Sequence, residues 1–285
     1  MSTPLRRYEL SVQGIAARSL YRRGWLPRAP RAAVLLAHGL AEHSGRYEHV
    51  GTWLAERGIA VHALDHVGHG RSSGPRCHVD RFEMFLDDYG FVLDALRKES
   101  PELPFFLLGH SMGGLIVSAF VCERGPEVSG VALSGPPLAI AEGALRRKMS
   151  FARLLRMVAP KLRIAAGLPE DGLATDPAVR EAYDADPLVE HKLTVSLACE
   201  LGAWVEHTHD RGAEVTAPLL IQHGADDPIC DVRGGQAFAK AAPRGGHRSY
   251  AGLRHEIFNE PSYQEVLSDL LEWIEGRLQG EPVSS

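Results

Sequence analysis

The chain has 285 residues, of which 45% are hydrophobic and 24% are charged, and this composition excludes disordered, collagen-like and low-complexity proteins. Its 31 lysines and arginines against 36 aspartates and glutamates leave a net charge of −5, which gives no overall attraction for nucleic acid. The length allows either two small domains or one α/β domain with a large insertion.

Cysteine usage and apolar run lengths indicate the compartment. The four cysteines are widely spaced without a CxxC pair, and the first twelve residues contain no apolar signal-peptide core. We therefore expect structural thiols in a reduced, cytoplasmic protein. The longest apolar runs, at 32–37 and 115–122, are far shorter than the ~20 residues of a membrane-spanning helix, so any lipid contact is expected to be peripheral.

The first predicted element is an antiparallel hairpin, in which the β-rich runs 8–12 and 15–21 are separated by a Gln-Gly pair. Beyond it, short apolar runs alternate with longer segments of helical period, which predicts a mostly parallel sheet covered by helices on both faces. The predicted strands are 32–37, 59–64, 105–108, 128–133, 218–222 and 248–250. The predicted helices are 47–57, 82–99, 112–123, 234–241 and 262–278.

This alternation stops after residue 133 and resumes near residue 217. A loop of about 80 residues without structure would be implausible in a compact domain, so we expect short helices that cover part of the core. The predicted division is a first core part at 1–135, a helical cap at 136–213 and a second core part at 214–285.

The motif GHSMGG at 109–114 joins the predicted strand 105–108 to the predicted helix 112–123. A G-x-S-x-G pattern in this context is typical of a nucleophile elbow, in which Ser111 occupies a strained turn with its hydroxyl above the sheet. The helix start places the Met112 amide and the positive end of a helix dipole beside a developing oxyanion. The alternative interpretation is a glycine-rich turn with an incidental serine.

A base and an orienting carboxylate follow the serine in the chain order Ser, Asp, His that α/β hydrolases use. The predicted strand 218–222 leads into HGADDPI, where Asp227 has the better spacing for the carboxylate and Asp226 is interpreted as a solvated turn residue. His255 follows the last predicted strand and is interpreted as the base. His247 starts that strand and is expected to be exposed.

A cluster of polar residues at His62, Asp65, His66 and His69 could be mistaken for a metal site. His62 and Asp65 are three residues apart, so they point to opposite faces of an extended strand, and the neighbouring glycines indicate a tight loop. We therefore assign no metal, and triad chemistry requires no cofactor.

Taken together, these residues resemble the monoacylglycerol lipase family of serine α/β hydrolases, close to its bacterial lysophospholipase-like members. The resemblance runs over about residues 32–278 and is carried by the strings HGLAEHSGRY, DHVGHGRS, FLLGHSMGG, YDADPL and DPICD. It implies an α/β-hydrolase fold: a mostly parallel sheet flanked by helices, with a helical cap insertion.

The resemblance also implies functional roles. Ser111, Asp227 and His255 take the positions of the catalytic triad. The backbone amides of Leu40 and Met112 take those of the oxyanion hole, which binds the negatively charged oxygen of the tetrahedral intermediate.

The head-group positions are also implied by the resemblance. Glu42 and Tyr183 match positions that help to bind the glycerol head in the family. Two positions depart from the family pattern. Leu40 is bulkier than the alanine of well-studied members, and Phe258 stands where some members have a histidine that reaches the glycerol hydroxyls.

The expected reaction is hydrolysis of monoacylglycerols to fatty acid and glycerol through an acyl-enzyme, so the expected partner is an acylglycerol or another lipid ester. Alternative hypotheses with the same triad are a lysophospholipase, a general carboxylesterase, or a peptidase of this fold. The alternative of a different class is a catalytically inactive α/β hydrolase that acts as a receptor or scaffold.

The predicted cap carries an unusual run of charge, with seven basic and no acidic residues between 144 and 163. The basic residues are Arg146, Arg147, Lys148, Arg153, Arg156, Lys161 and Arg163. Interleaved apolar residues suggest a helix that contacts anionic membranes. The alternative is an ordinary cap helix, since Lys148 and Arg156 fall within the apolar arc of Leu145 and Met149.

Overall fold

The computed structural model describes residues 5–140, 143–167, 169 and 171–280. Its strands are β1 (Arg6–Gln13), β2 (Ser19–Leu26), β3 (Ala32–Ala37), β4 (Ile59–Leu64), β5 (Phe105–His110), β6 (Gly130–Ser134), β7 (Arg163–Ala165), β8 (Lys192–Thr194), β9 (Leu219–Gly224) and β10 (Gly245–Tyr250). Its α-helices are α1 (Glu48–Ala55), α2 (Glu83–Glu99), α3 (Met112–Arg124), α4 (Gly143–Arg156), α5 (Pro177–Ala185), α6 (Val195–Thr208), α7 (Val232–Ala241) and α8 (Tyr263–Leu278). Short 3₁₀ segments cover Ile15–Ala17, Ser44–Tyr47 and Gly212–Glu214.

The main sheet has the strand order β1-β2-β4-β3-β5-β6-β9-β10. All pairs from β4 to β10 are parallel, whereas β2 is antiparallel to both β1 and β4. The central strands are buried along their whole length, because helices cover both faces and only apolar runs fit there. The predicted mostly parallel α/β fold is confirmed.

Two apolar cores lie on opposite faces of the sheet. One contains buried side chains of α2, α3 and α7, together with Leu193 and Leu197 from the inserted region. The other contains buried side chains of α1 and α8 around Trp25 and Trp53. The sheet is therefore fixed from both sides, which gives rigid support to the loops at the carboxyl ends of its strands.

The first two strands pair as an antiparallel hairpin, but the predicted turn between them is wrong. β2 begins at Ser19 rather than at residue 15, because Ile15–Ala17 form a 3₁₀ segment. Ala16 and Ala17 both have left-handed backbone angles, with φ of 53° and 58°, and the Gly14 amide donates to the Arg18 carbonyl at 2.7 Å to close the loop. Alanine gives no sequence signal for positive φ, so this wider connection was not predictable from the residues.

The segment between β6 and β9 leaves the main sheet, as predicted, and contains α4, α5 and α6. It also contains an antiparallel pair of strands, β7 and β8, where only helices were expected. α6 packs against the core through Leu197, on the same face as α3. The predicted boundaries 136–213 lie inside the interval between Ser134 and Leu219, where β6 ends and β9 begins.

No disulfide links the four cysteines. Cys77, Cys199 and Cys230 are buried and Cys122 is half-buried. Among the described helices, none is both long enough and apolar enough to span a bilayer.

Candidate active site

A strained turn between β5 and α3 presents Ser111. Its backbone has φ of 52° and ψ of −119°, and its amide donates to the Ser134 carbonyl at 2.9 Å. A Cβ at Gly109 would lie 2.4 Å from the Gly113 carbonyl oxygen, and a Cβ at Gly113 would lie 2.1 Å from the carbonyl oxygen of Ala37. Only glycine fits at both positions, so the predicted elbow has the expected geometry.

The side chains of Ser111, His255 and Asp227 form a hydrogen-bonded chain. Ser111 Oγ lies 2.8 Å from His255 Nε2, and His255 Nδ1 lies 2.7 Å from Asp227 Oδ2. An ionised carboxylate only accepts, so Nδ1 carries the proton and Nε2 accepts the serine hydroxyl. The structure thus brings together the three side chains that were predicted to be close, in the arrangement that a nucleophile, a base and an orienting group require.

Four donors surround the Asp227 carboxylate. Oδ1 accepts from the backbone amides of Ile229 and Cys230 at 2.8 and 2.9 Å, and Oδ2 accepts from His223 Nε2 at 3.0 Å as well as from His255. Burial acts to raise the pKa of Asp227, but the hydrogen bonds from His223 and His255 outweigh it, and the pKa is held well below its usual range. The carboxylate is therefore ionised at neutral pH.

Two neighbours of the triad were weighed as alternatives from the sequence. Asp226 is exposed, which agrees with a solvated turn residue. His247 is half-buried in the interior of β10, so the expectation that it is exposed was wrong. Its ring faces that of His223 at 6.4 Å, and burial, aided by repulsion from His223, lowers the pKa of His247 to about 4.

The amides of Leu40 and Met112 belong to residues that line the cavity beside Ser111. Met112 is the first residue of α3, so its N–H has no acceptor within the helix. A Cβ at Gly39 would lie 3.4 Å from the Cβ of Ser111, which shows how closely the segment before Leu40 approaches the serine. Both amides therefore remain the predicted donors of an oxyanion hole.

The polar end of the cavity is formed around Glu42. Its Oε1 accepts from the Gly39 amide at 2.5 Å and from the Tyr47 hydroxyl at 2.6 Å, and its Oε2 accepts from Arg46 at 2.6 Å. Burial raises the pKa of Glu42, but the charge of Arg46 outweighs it and the pKa falls to about 2. Tyr183 lines the same end, is only 2% exposed, and its hydroxyl has no hydrogen-bond partner among the described residues.

Arg46 bridges two buried carboxylates that were not predicted to be partners. It donates to Glu42 and, through both terminal nitrogens, to Glu256 at 2.6 and 2.8 Å, and its guanidinium lies 4.8 Å from the centre of the Tyr183 ring. Glu256 also accepts from Asn259 at 2.8 Å.

The site opens into a cavity of about 440 Å³. Polar side chains line one part of it: Glu42, His110, Ser111, Tyr183, His255 and Glu256. Apolar side chains line another part, and several come from α4 and α6: Leu115, Met149, Ala198, Leu201, Val205 and Ile229. A cavity with this lining can accept a molecule that has a polar head and an apolar chain.

The inserted region is hydrogen-bonded to the loop that carries His255. Glu260 is fully buried and accepts from the Thr175 amide and hydroxyl at 2.9 and 2.5 Å and from the Arg254 amide at 2.8 Å. The Glu256 amide donates to the Leu173 carbonyl at 2.7 Å. This part of the insertion is therefore a fixed wall of the site.

The two departures from the family pattern have different consequences. Leu40 lines the cavity, so its bulk faces the space beside the serine. Phe258 is buried against α8, and its carbonyl accepts from His49 at 2.7 Å. Phe258 is not among the described residues that line the cavity.

Among the described residues, one group of potential metal ligands was found: Asp227, Cys230 and His255, with donor atoms within 4.8 Å of one another. Asp227 is already hydrogen-bonded to His255, and His255 is hydrogen-bonded to Ser111. Burial raises the pKa of Cys230, which keeps its thiol protonated. We assign no metal to them. The cysteine was interpreted as structural from the sequence, whereas it lines the cavity.

The polar cluster considered from the sequence consists of His62, Asp65, His66 and His69. These side chains turn to different neighbours: His62 lies 2.6 Å from the Tyr8 hydroxyl, whereas Asp65 accepts from the amide and hydroxyl of Ser44. The other two histidines pack with His38 in a buried ring cluster behind the cavity. The glycines at 68 and 70 have positive φ, in agreement with the tight loop expected there.

Comparisons with known proteins give a consistent result. The model of a family described as serine aminopeptidase, S33, matches residues 28–262. A monoacylglycerol lipase of Mycolicibacterium smegmatis is 38% identical over 276 residues, covering 95% of this chain and 98% of that protein. The phospholipase YtpA of Bacillus subtilis is 32% identical, covering 85% and 94%. The crystal structure of Paleococcus ferrophilus monoacylglycerol lipase superposes with a TM-score of 0.81 at 30% identity, covering 90% and 99%.

Proposed function

The chain belongs to the monoacylglycerol lipase family, within the broader serine aminopeptidase S33 family, and from this premise we propose that it hydrolyses monoacylglycerols to a fatty acid and glycerol. The observation that carries the proposal is the hydrogen-bonded chain of Ser111, His255 and Asp227 at the wall of a cavity with polar and apolar parts. Because nucleophile, base and carboxylate are all present and hydrogen-bonded, an inactive receptor or scaffold is less well supported.

Acylation begins at Ser111. His255 Nε2 takes the hydroxyl proton while Oγ bonds to the ester carbonyl carbon, and the carbonyl electron pair moves onto oxygen. The amides of Leu40 and Met112 would stabilise this oxyanion. When the tetrahedral intermediate collapses, the bond to the alcohol oxygen breaks and His255 gives its proton to the leaving glycerol. The acyl group remains on Ser111.

Deacylation repeats these steps with water. His255 takes a proton from the water as its oxygen attacks the acyl carbon, and then returns the proton to Ser111 as the fatty acid leaves. Asp227 holds the Nδ1–H tautomer and stabilises the imidazolium that forms in both halves of the reaction. The depressed pKa of Asp227 supports this role, because only the charged carboxylate can provide it.

The polar end of the cavity is proposed to bind the glycerol head through Glu42 and Tyr183. The Tyr183 hydroxyl is buried without a partner among the described residues, and a buried hydroxyl without a partner is costly. A substrate hydroxyl would satisfy it. Glu42 and Glu256 share the single charge of Arg46, so this end offers acceptors to a neutral polyol and does not favour an anionic head group.

A lysophospholipase or general carboxylesterase remains the second candidate, supported by the similarity to the phospholipase YtpA. A peptidase that binds a free amine is less well supported. Each carboxylate at the polar end of the cavity already accepts from Arg46 and from a further donor, so neither is a dedicated anchor for an ammonium group.

A substrate panel tests the proposal and separates these candidates. The purified protein would be assayed with monoacylglycerols, lysophosphatidylcholine, p-nitrophenyl butyrate and leucine p-nitroanilide, with Ser111→Ala as the blank. We expect the highest kcat/KM for a monoacylglycerol. A higher kcat/KM for lysophosphatidylcholine would transfer the assignment to a lysophospholipase, and selective cleavage of the anilide would contradict an esterase.

We propose further that residues 136–213 form the cap and that this cap contacts membranes. An exposed apolar surface at the end of α4 and just beyond it supports this. Its members are Phe151, Leu154, Met157, Val158 and Leu162, with exposures of 66, 64, 81, 81 and 48%. Clustered exposed apolar residues mark interaction sites. Two of its members, Phe151 and Leu154, lie on the same helix as Met149, which lines the cavity, so an acyl chain could enter from the lipid side.

The seven basic residues between 144 and 163 contribute less charge to a membrane-binding surface than their number suggests. Three of these arginines pair with acidic residues of the insertion: Arg153 with Glu206, Arg156 with Glu200, and Arg163 with Glu190. The side chains of Leu145, Arg146 and Lys148 lie outside the described residues. The apolar surface therefore carries the proposal, and a cytoplasmic location with peripheral lipid contact stays a prediction.

Vesicle co-sedimentation tests this contact. We expect Phe151→Ser with Leu154→Ser to reduce the fraction bound to phosphatidylcholine vesicles several-fold, because the change removes apolar area that would leave water. The matched control is Leu10→Ser with Ile15→Ser, which changes exposed apolar residues of the first hairpin. Equal binding of both double variants and the wild type would contradict the proposal, and stronger binding to anionic vesicles would measure the remaining electrostatic part.

A further inference from the structure

His38 lies directly after β3, two residues before the proposed oxyanion-hole residue Leu40. Its side chain is fully buried, and His38 is not among the described residues that line the cavity. The mechanism above gives it no role. Its hydrogen bonds nevertheless connect it to the peptide that contains the Leu40 amide.

The protonation state of His38 follows from its two partners. The backbone amide of His66 donates to Nε2 at 3.0 Å, and because a backbone amide only donates, Nε2 carries no proton. Burial lowers the pKa of His38, so the ring is neutral and its single proton lies on Nδ1. Nδ1 therefore donates to the Gly39 carbonyl oxygen, which lies 2.7 Å away.

The Gly39 carbonyl and the Leu40 amide belong to one peptide unit. This unit is planar and trans, so its C=O and N–H point in opposite directions. A donor that fixes the carbonyl oxygen on one side also fixes the direction of the N–H on the other side, where Leu40 lines the cavity beside Ser111.

The preceding peptide is fixed separately, since the Gly39 amide donates to Glu42 Oε1 at 2.5 Å. Gly39 has no side chain to resist rotation of the next peptide, and glycine permits many backbone conformations. Among the described residues, the side chain that holds the Gly39 carbonyl in place is therefore His38.

We propose that His38 is a positioning residue, which directs the Leu40 N–H into the oxyanion hole through its bond to the Gly39 carbonyl. The bond also polarises the peptide, which makes the Leu40 N–H a stronger donor to a developing negative charge. The proposal deepens the proposed function and depends on the assignment of Leu40, but it does not depend on which ester is the substrate.

Two polar variants separate the two hydrogen bonds of His38. In His38→Asn, the amide nitrogen occupies the place of Nδ1, two bonds from Cβ, and keeps a donor for Gly39. In His38→Gln, the amide group reaches the place of Nε2, where it keeps an acceptor for His66 and loses the donor to Gly39. Neither variant places an apolar group against the two backbone partners.

The matched control is His69→Leu. His69 belongs to the same buried ring cluster, with its ring centre 5.4 Å from that of His38, but its own contacts run to the Val67 carbonyl and to Cys77. It therefore reports the effect of disturbing the cluster without touching the Gly39 carbonyl.

The assay uses p-nitrophenyl butyrate, and the rate of phosphonylation by a fluorophosphonate is measured as a second readout of oxyanion stabilisation. For His38→Gln we expect kcat to fall about 10- to 100-fold with KM changed less than about threefold, below the ~10²- to 10³-fold cost of deleting an oxyanion donor. The phosphonylation rate should fall in parallel. His38→Asn should recover kcat to within about fivefold of the wild type, and His69→Leu should stay within about threefold.

The proposal is overturned if His38→Gln keeps its kcat, if its loss appears in KM instead, or if His38→Asn is no more active than His38→Gln. An equal loss in His69→Leu would also overturn it, because the effect would then belong to the cluster. Failure of the proposed function would look different, since the wild type would then neither hydrolyse the ester nor react with the fluorophosphonate.

Discussion

The buried carboxylate of Asp227 has a donor for each of its lone-pair directions, two from backbone amides and two from histidine rings. This arrangement explains how a carboxylate without solvent contact remains ionised. In the proposed mechanism, catalysis depends on the direction of the hydrogen bond between Asp227 and His255. The neighbouring Asp226 has no such environment, because it is exposed.

Asp227→Asn should therefore abolish most of the activity while leaving the fold intact. The new amide would keep an oxygen for the Ile229 and Cys230 amides but would present N–H to His255 Nδ1, which forces the wrong tautomer. We expect kcat to fall about 10⁴-fold. Steady-state kinetics with p-nitrophenyl butyrate provide the measurement, with Asp226→Asn as the control that should stay near the wild type. A loss below about tenfold would reject Asp227 as the orienting group.

The low pKa of Glu42 predicts how stability depends on pH. Because folding lowers this pKa to about 2, the charge stabilises the folded state fully above the unfolded-state pKa of about 4.3. The contribution is lost as the pH falls toward about 2. The Tm difference between the wild type and Glu42→Gln should therefore be largest near neutral pH and shrink between about pH 5 and pH 3.

Thermal unfolding at a series of pH values checks this. Glu48→Gln is the control, because the Glu48 side chain is 47% exposed and should contribute little to Tm at any pH. A Tm difference for Glu42→Gln that stays constant or widens on acidification would show that Arg46 does not hold Glu42 in its charged form.

At the residue scale, local motifs predicted that Ser111, Asp227 and His255 lie close together, because each follows a strand within a short recognisable string. The cluster around Arg46 was not predictable in the same way. Arg46 and Glu256 are separated by 210 residues, and their contact depends on how the loops meet at the edge of the sheet. The hydrogen bond from His223 to Asp227 was not predicted either, because in the sequence His223 is only the residue before a G-x-x-D turn.

At the scale of elements, strands buried on both faces were predicted most accurately. β3 and β4 match their predicted limits, because continuous apolar runs ended by polar or glycine residues have one plausible structure. The inserted region was predicted as a cap but not in its details, since β7 and β8 have three residues each and are only partly buried. Such short strands carry too few residues for a period to be recognised.

The hydrogen bonds of Glu260 connect the insertion to the loop of His255, so their loss should lower both the stability of the fold and the rate of hydrolysis. Glu260→Ala would leave the Thr175 and Arg254 amides without their buried acceptor, and an unpaired buried donor costs about 1–3 kcal/mol. We expect a lower free energy of unfolding in urea and a several-fold lower kcat, because the loop of His255 loses a support. Unchanged kcat in a destabilised variant would show that this tie is structural only.

At the scale of the whole molecule, the sheet order brings the triad together. Ser111, Asp227 and His255 follow β5, β9 and β10, which are parallel strands on the same side of the sheet. Because parallel strands end at one edge, residues 144 positions apart in the chain can meet there. The insertion after β6 then passes over this edge and lines the cavity with α4 and α6.

The central claim is that Ser111 is the nucleophile activated by this assembly, and covalent labelling tests it most directly. The wild-type protein would be treated with a fluorophosphonate and its modified peptide identified by mass spectrometry, with Ser111→Ala treated in parallel. We predict one phosphonyl group per chain, on Ser111, with loss of ester hydrolysis in proportion to labelling and no labelling of the variant. Labelling at another residue, or a Ser111→Ala protein that still hydrolyses the ester, would contradict the claim.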